Sequence, residues 1–247
     1  MTEKRLKKFH ESMASMKKLI SKSSAEEASL LRSLAANTGL LDAVLALLLQ
    51  PLKLASDKKD GGNGDKNESK DDPTRQVSLA CLEWLRFFVS GSPQSQAKLF
   101  KRFPELVALL EQNMKDGVMA VAVAQTALEI VRDNMDLCLA MHQDLVAPFV
   151  NATYQQNESH VFLRFLEAIQ MPGGEIIMDN QNMVMRLLVE NHGLNTLLLP
   201  QETLSGEALK RHRSYLAHFL SLIGICTAGE NFYTETMCQK MLSVEVP

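Results

Sequence analysis

The sequence predicts an all-α protein of stacked helical repeats, an armadillo/HEAT-like α-solenoid, and three observations carry that expectation. The first is a unit that recurs four times, each copy opening on a turn of small or amide residues and closing on an aliphatic cluster. The turns begin at Gly91, Asp133, Gly173 and Gly229, so the copies start 42, 40 and 56 residues apart. Spacings of about 40 to 47 residues mark armadillo and HEAT repeats, in which each unit leaves an apolar face for its neighbour to cover. The second observation is that apolar residues recur at helical spacing along most of the chain. The third is that no stretch sustains period-2 alternation, and no hairpin turn sits between β-branched runs. A single superhelical domain over residues 1–247 follows.

Taken in order, Leu6, Phe9, Met13, Met16 and Ile20 lie three or four apart and predict an amphipathic helix over residues 2–22. Ser24 and Glu27 form a capping box that opens a second helix, with Leu30, Leu31 and Leu34 on one face. Asn37-Thr38-Gly39 stops it, and a third helix runs on to Gln50 and ends at Pro51. The aliphatic run of that helix, Leu40 to Leu49, is interrupted by Asp42 and is short of the roughly 20 residues a bilayer span needs. From Ser56 to Asp72 there is no apolar residue and charge of both signs. Such a segment buries too little surface to offset its ordering entropy, so residues 55–73 are expected to form a flexible insertion loop. It separates two helices that look like neighbours in one solenoid, which argues against a domain boundary.

A long helix follows, with Leu79, Leu82, Leu85 and Phe88 as its buried stripe. Pro93 and Pro104 suit the first turns of later helices, where the missing N–H costs nothing. An apolar helix is expected over 118–131, and another over 158–170 carrying Phe162, Phe165, Leu166 and Ile169. Pro172-Gly173-Gly174 ends the latter. The last long helix, 206–228, carries Leu209, Leu216, Phe219, Leu220 and Ile223, with Gly229 as its C-terminal cap.

The chemistry offered by these residues is sparse. A net charge of −3 gives no footprint for nucleic acid. Cys81, Cys138, Cys226 and Cys238 are scattered among apolar residues with no C-x-x-C spacing, so reduced, buried thiols are expected rather than disulfides or zinc. His10, His142, His160, His192, His212 and His218 show no ligand spacing, and no nucleophile elbow, P-loop or dinucleotide fingerprint occurs. Gly61-Gly62-Asn63-Gly64 opens no helix, and Lys70 stands where a calcium loop of this register needs glycine. Asn67, Asn151 and Asn157 match the glycosylation sequon and, with no signal peptide in this sequence, are expected to be coincidences. No enzyme, cofactor or metal site is expected. Met183 and Met185, or Met237 and Met241, suit an adaptable groove, but gap-filling in a helical core is the stronger expectation.

One sharper hypothesis concerns the N-terminus, where residues 1–22 hold seven Lys or Arg against two Glu. Arg5, Lys7, Lys8, Lys17, Lys18 and Lys22 flank the apolar stripe, a pattern that can bind a calmodulin-like regulator or an anionic membrane. The simpler expectation is a capping helix whose stripe covers the first repeat while its lysines stay in water.

The run from Leu222 through Cys226-Thr227-Ala228-Gly229 to Asn231-Phe232-Tyr233-Thr234-Glu235 and Leu242 resembles a segment of inositol trisphosphate receptors. Further likenesses keep the family's order: Ser29 to Leu34 and on to Gln50-Pro51, Phe87 to Gly91 with Gln94, Gln96 and Leu99, then Val161 to Gln170 and Asn182 to Met185. Together they span residues 25–245, the homology region shared by inositol trisphosphate and ryanodine receptors. The resemblance implies an armadillo-like domain on the cytosolic side of a tetrameric calcium-release channel of the endoplasmic reticulum, in contact with other domains of that receptor. It implies a fragment of a much larger chain, with the ligand site upstream and the pore downstream. No cluster of Arg and Lys in 23–247 resembles the family's ligand-binding set, so no ligand residue is assigned. The alternative is a free-standing solenoid adaptor that binds a partner's peptide or helix.

Overall fold

The computed structural model describes residues 3–49, 73–156, 159–192 and 206–242. The charged loop expected at 55–73 lies outside these residues, except for Pro73, which opens a helix instead of ending a loop. Among the described residues every regular element is helical, as the missing strand signals predict. The chain forms two compact units, Met1–Leu99 and Phe100–Pro247.

The first unit is built from α1 (Glu3–Lys22), α2 (Ala25–Asn37), α3 (Leu40–Leu49), α4 (Pro73–Val89) and α5 (Pro93–Phe100), whose last residue begins the second unit. The expected capping box is present. Ser24 accepts from the Glu27 amide, and Glu27 accepts from the Ser24 amide at 2.9 Å. Together they satisfy two N–H groups that a helix start otherwise leaves open. The core is aliphatic from α3 (Leu41, Val44, Leu45, Leu48) and aromatic from α4, where Trp84 stacks on Phe88 with ring centres 3.9 Å apart. α1 packs on α2 and α4, burying Met13 and Ile20.

The expected leucine face of α2 is corrected by the structure. Leu30 and Leu34 are 70% and 57% exposed, and the buried side chains are Ala28, Ala35 and Ala36. A helix turns about 100° per residue, so the 30-34 row points away from the 28-35 row. The small alanines let α2 lie close to its neighbours, and the leucines are left outside.

The second unit contains α6 (Phe103–Gln112), α7 (Gly117–Val131), α8 (Met135–Leu139), α9 (Gln143–Gln155), α10 (Val161–Gln170), a 3-10 turn at Pro172–Gly174, α11 (Met178–His192), α12 (Gly206–Cys226) and α13 (Phe232–Leu242). Its neighbours form two rows. α7, α10 and α12 pack in succession, as do α6, α9, α11 and α13. Between the rows α6 meets α7, α9 meets α10, α11 meets α12, and α12 meets α13. α10 and α12 run in the same direction, because His160, Glu167 and Gln170 meet Ser214, His218 and Cys226 in that order.

α10 is the hub of this arrangement. Phe162, Phe165, Leu166 and Ile169 are fully buried, as their spacing predicts, each contributing roughly 1.5–3 kcal/mol by leaving water. Phe165 stacks on Phe149 at 3.8 Å, and Phe103 closes the trio at about 6 Å from both. In α12 the buried stripe is Tyr215, Phe219, Leu222 and Cys226, so of the expected set Phe219 is buried while Leu220 is 68% exposed.

The turns that open the recurring unit share left-handed backbone. φ is +66° at Gly91, +60° at Gly173 and +76° at Gly229, and Asp133 adopts +52°. Aspartate tolerates that region better than most side chains. Here it does more, because its Oδ1 accepts from the Gly173 amide at 3.2 Å and so joins two successive turns.

Candidate interaction surface

The functional candidates are surfaces and polar clusters rather than a cleft, and they follow from which side chains the helices leave in water. On α1, Lys7, Lys8, Lys18 and Lys22 are exposed, Phe9 and Met16 half-buried, and Met13 and Ile20 buried. That division is the capping arrangement. Arg5 and His10 have side chains outside the described residues. Lys17 leaves the basic set, since it pairs with Glu83 and lies over the Phe87 ring at 5.9 Å. Arg32 covers the same ring at 5.7 Å, so one half-buried phenylalanine faces two cations. Nothing in the local spacing forecasts that contact, because residues 17, 32 and 87 belong to three helices.

Met183 and Met185 are buried and fill the core of α11, while Met237 is half-buried. Met241 lies outside the described side chains. The larger exposed apolar side chains are Leu19, Leu30 and Leu34 in the first unit, and in the second Val118, Leu139, Met178, Leu220, Phe232 and Tyr233. Phe232 is the most exposed of them at 80%.

Buried amides form the second unit's polar framework, and sequence reasoning missed them. Asn180 donates to the carbonyls of Cys138 and Ile169 at 2.8 and 2.6 Å. Gln181 donates to those of Ile225 and Ala228 at 2.6 and 3.1 Å. Asn231 donates to the side-chain oxygens of Gln181 and Asn182, both at 2.9 Å. Gln156, half-buried, reaches the Met114 carbonyl at 2.8 Å in the same way. Each spans one helix end to the next copy of the unit. A carbonyl at a helix end costs free energy unless a donor meets it, and these amides supply donors there, beside the Met141 and Ala228 backbone amides at Cys138 and Ile225. The available sequence signal was Asn and Gln standing at apolar helix positions.

The four thiols are buried. Burial pushes Cys81 up to about 12, and burial with the nearby Asp133 charge does the same for Cys138. Cys226 and Cys238 are also raised, chiefly by burial. The Cys226 thiol donates to Gln170 Oε1 at 3.1 Å. None of these is a nucleophile at neutral pH.

The histidines divide. His142 precedes α9 at the surface, 4.0 Å from Asp144. His192 and His212 have side chains outside the described residues. His160 and His218, 58 positions apart in the chain, are brought together with parallel rings 4.9 Å between centres. His218 Nδ1 lies 3.1 and 3.3 Å from the two Glu167 oxygens, and His160 Nδ1 lies 3.3 Å from Ser214 Oγ. Among the described residues no group of three or more His, Cys, Asp or Glu could hold a metal ion. Of the sequons, Asn151 sits half-buried within α9, and Asn67 and Asn157 lie outside the described residues.

Among the described residues no single helix is long and apolar enough to cross a membrane. α2 and α3 reach that length only together, and they bend by 60° between Asn37 and Leu40.

Comparison with known proteins now adds a family. The RIH-domain family model matches residues 6–201. A curated relative, the inositol 1,4,5-trisphosphate receptor itr-1 of Caenorhabditis elegans, is 22% identical over 182 residues, 66% of this chain. The chain spans 6% of the length of that receptor. With four-fifths of the sequence matched, the chain belongs to the RIH-domain family, the homology region of inositol trisphosphate and ryanodine receptors.

Proposed function

We propose that this chain is a non-catalytic regulatory and relay domain of an intracellular ligand-gated calcium-release channel, on the cytosolic face of the endoplasmic reticulum membrane. The observation that carries the reading is the family match over residues 6–201, with a relative that is by name an inositol trisphosphate receptor. The two rows of helices in the second unit support an armadillo- or HEAT-type solenoid, with residues 1–247 forming one repeat domain. Mechanically, buried amides at successive helix ends resist sliding, so a push on one hairpin displaces the next. The domain then links ligand binding elsewhere in a tetrameric receptor to the pore, contacts the receptor's other domains and offers a surface to regulators.

The test is to put this chain in place of the matching stretch of the worm receptor. Ligand-evoked calcium release should persist in the chimaera and vanish, with ligand binding intact, when the stretch is deleted. Normal release from the deleted channel defeats the relay role.

A partner-binding adaptor is the second reading, favoured by the exposed Leu30 and Leu34 on α2 and by Phe232 on α13. A calmodulin-like regulator at α1 belongs to the same group of readings, although the buried Met13 and Ile20 favour the cap. Calcium-dependent capture of the whole chain by calmodulin supports the regulator; no capture removes it.

A further inference from the structure

We propose that the stacked His160–His218 pair is a proton-sensitive latch between α10 and the N-terminal half of α12, closed at neutral pH and opened by mild acid. The geometry sets up an asymmetry. His218 has the Glu167 carboxylate within hydrogen-bond reach, while His160 meets the Ser214 hydroxyl. A proton added to His160 therefore places a cation flat against a second imidazole, 4.9 Å away, and among the described residues it is the Ser214 hydroxyl, not a carboxylate, that hydrogen-bonds to this ring. Burial, then His218, then Arg164 hold the His160 pKa below the ordinary histidine range.

Among the described residues, the other charges on helices packed against α10 are engaged elsewhere or exposed. Glu129 of α7 pairs with Arg132, Arg186 of α11 takes Gln143, Asp144 of α9 stands by His142, and Asp136 of α8 and Asp179 of α11 are exposed. Tyr154 of α9 gives its hydroxyl to the Leu188 carbonyl. On α10 and α12 themselves the facing groups among the described residues are Arg164, Glu167, Ser214 and the two rings.

The sign follows from the lowered pKa. Unfolded His160 takes its proton at ordinary histidine pH, and folded His160 takes it only further down. The closed state is therefore fully stable above the ordinary range. It loses stability as pH falls through that range, until the folded group is also protonated. The other end of α12 does not share this response. Cys226 on Gln170, and Gln181 on the Ile225 and Ala228 carbonyls, carry no group that titrates near neutrality. The opening is therefore local, with α12 pinned at its C-terminal end.

The decisive experiment is amide hydrogen exchange on the full chain at about pH 7.5 and about pH 5.5, corrected for intrinsic rates, with His160→Phe beside the wild type. Wild-type amides of residues 213–219 should open measurably more at the lower pH, while those of 222–226 stay protected. His160→Phe keeps an aromatic stack without a proton and should show no acid response. The same response in His160→Phe, or equal loss of protection along all of α12, overturns the latch. If that variant does not fold, the His160 ring is titrated by NMR in the wild type. A midpoint below the ordinary range, accompanied by shifts at Ser214, supports the latch, and an ordinary midpoint overturns it.

Discussion

In residues 1–99 several polar contacts that join helix to helix lie near the surface. Lys17 meets Glu83, Lys98 meets Asp42 and the Ala36 carbonyl, and Ser33 meets Gln94. In residues 100–247 the comparable contacts run through buried amides, with Asn180, Gln181 and Asn231 reaching carbonyls and amide oxygens across copies of the unit. Both regions bury aliphatic and aromatic cores of similar kind. The difference lies in what fixes one helix's position along its neighbour. A surface ion pair contributes about 0–1 kcal/mol and tolerates a shifted partner. A buried amide that slides by one turn strands its carbonyls, at about 1–3 kcal/mol for each. Apolar burial makes both regions compact, and in the second, buried amide hydrogen bonds also set the register.

The largest effects should be shared by the two regions. Trp84→Ala and Phe165→Ala each remove a fully buried ring from a stack and should cost about 3–5 kcal/mol, read from the guanidinium midpoint. A loss below about 1 kcal/mol in either would break the picture of equivalent cores. The next effect should separate the regions. Asn180→Ala strips the side-chain donor from the Ile169 carbonyl and leaves the Cys138 carbonyl to the Met141 amide alone, and should cost about 2 kcal/mol, unchanged by salt. Ser24→Ala, which removes a helix cap in the first region, should cost about 1 kcal/mol in the same assay. Lys17→Ala should cost less than about 1 kcal/mol, a difference that shrinks between low and high salt. If Lys17→Ala equals Asn180→Ala, the contrast between surface and buried fastening is wrong.

Helix existence was legible because spacing and punctuation agree. Ser24 with Glu27, Gly39, Pro93, Pro104 and Gly229 stand where helices start or stop, within a few residues. Facing was less legible. Leu30, Leu34 and Leu220 have the periodicity of a core and the exposure of a surface, because another stripe of the same helix, alanines in α2 and Tyr215, Phe219 and Leu222 in α12, faces the core instead. Long-range chemistry was not legible at all. The His160–His218 stack and the cations flanking Phe87 join residues tens of positions apart, and only packing decides such meetings. The family resemblance was carried instead by strings such as Cys226 to Glu235, which are local.

The four thiols have a practical consequence. At neutral pH each is protonated and covered, so an alkylating reagent can reach one only while its surroundings are open. Cys81 belongs to Met1–Leu99, and Cys138, Cys226 and Cys238 belong to Phe100–Pro247. The native chain is thereby its own clock. Pulse alkylation followed by peptide mass spectrometry times the breathing of each region separately, with no label added and no residue changed.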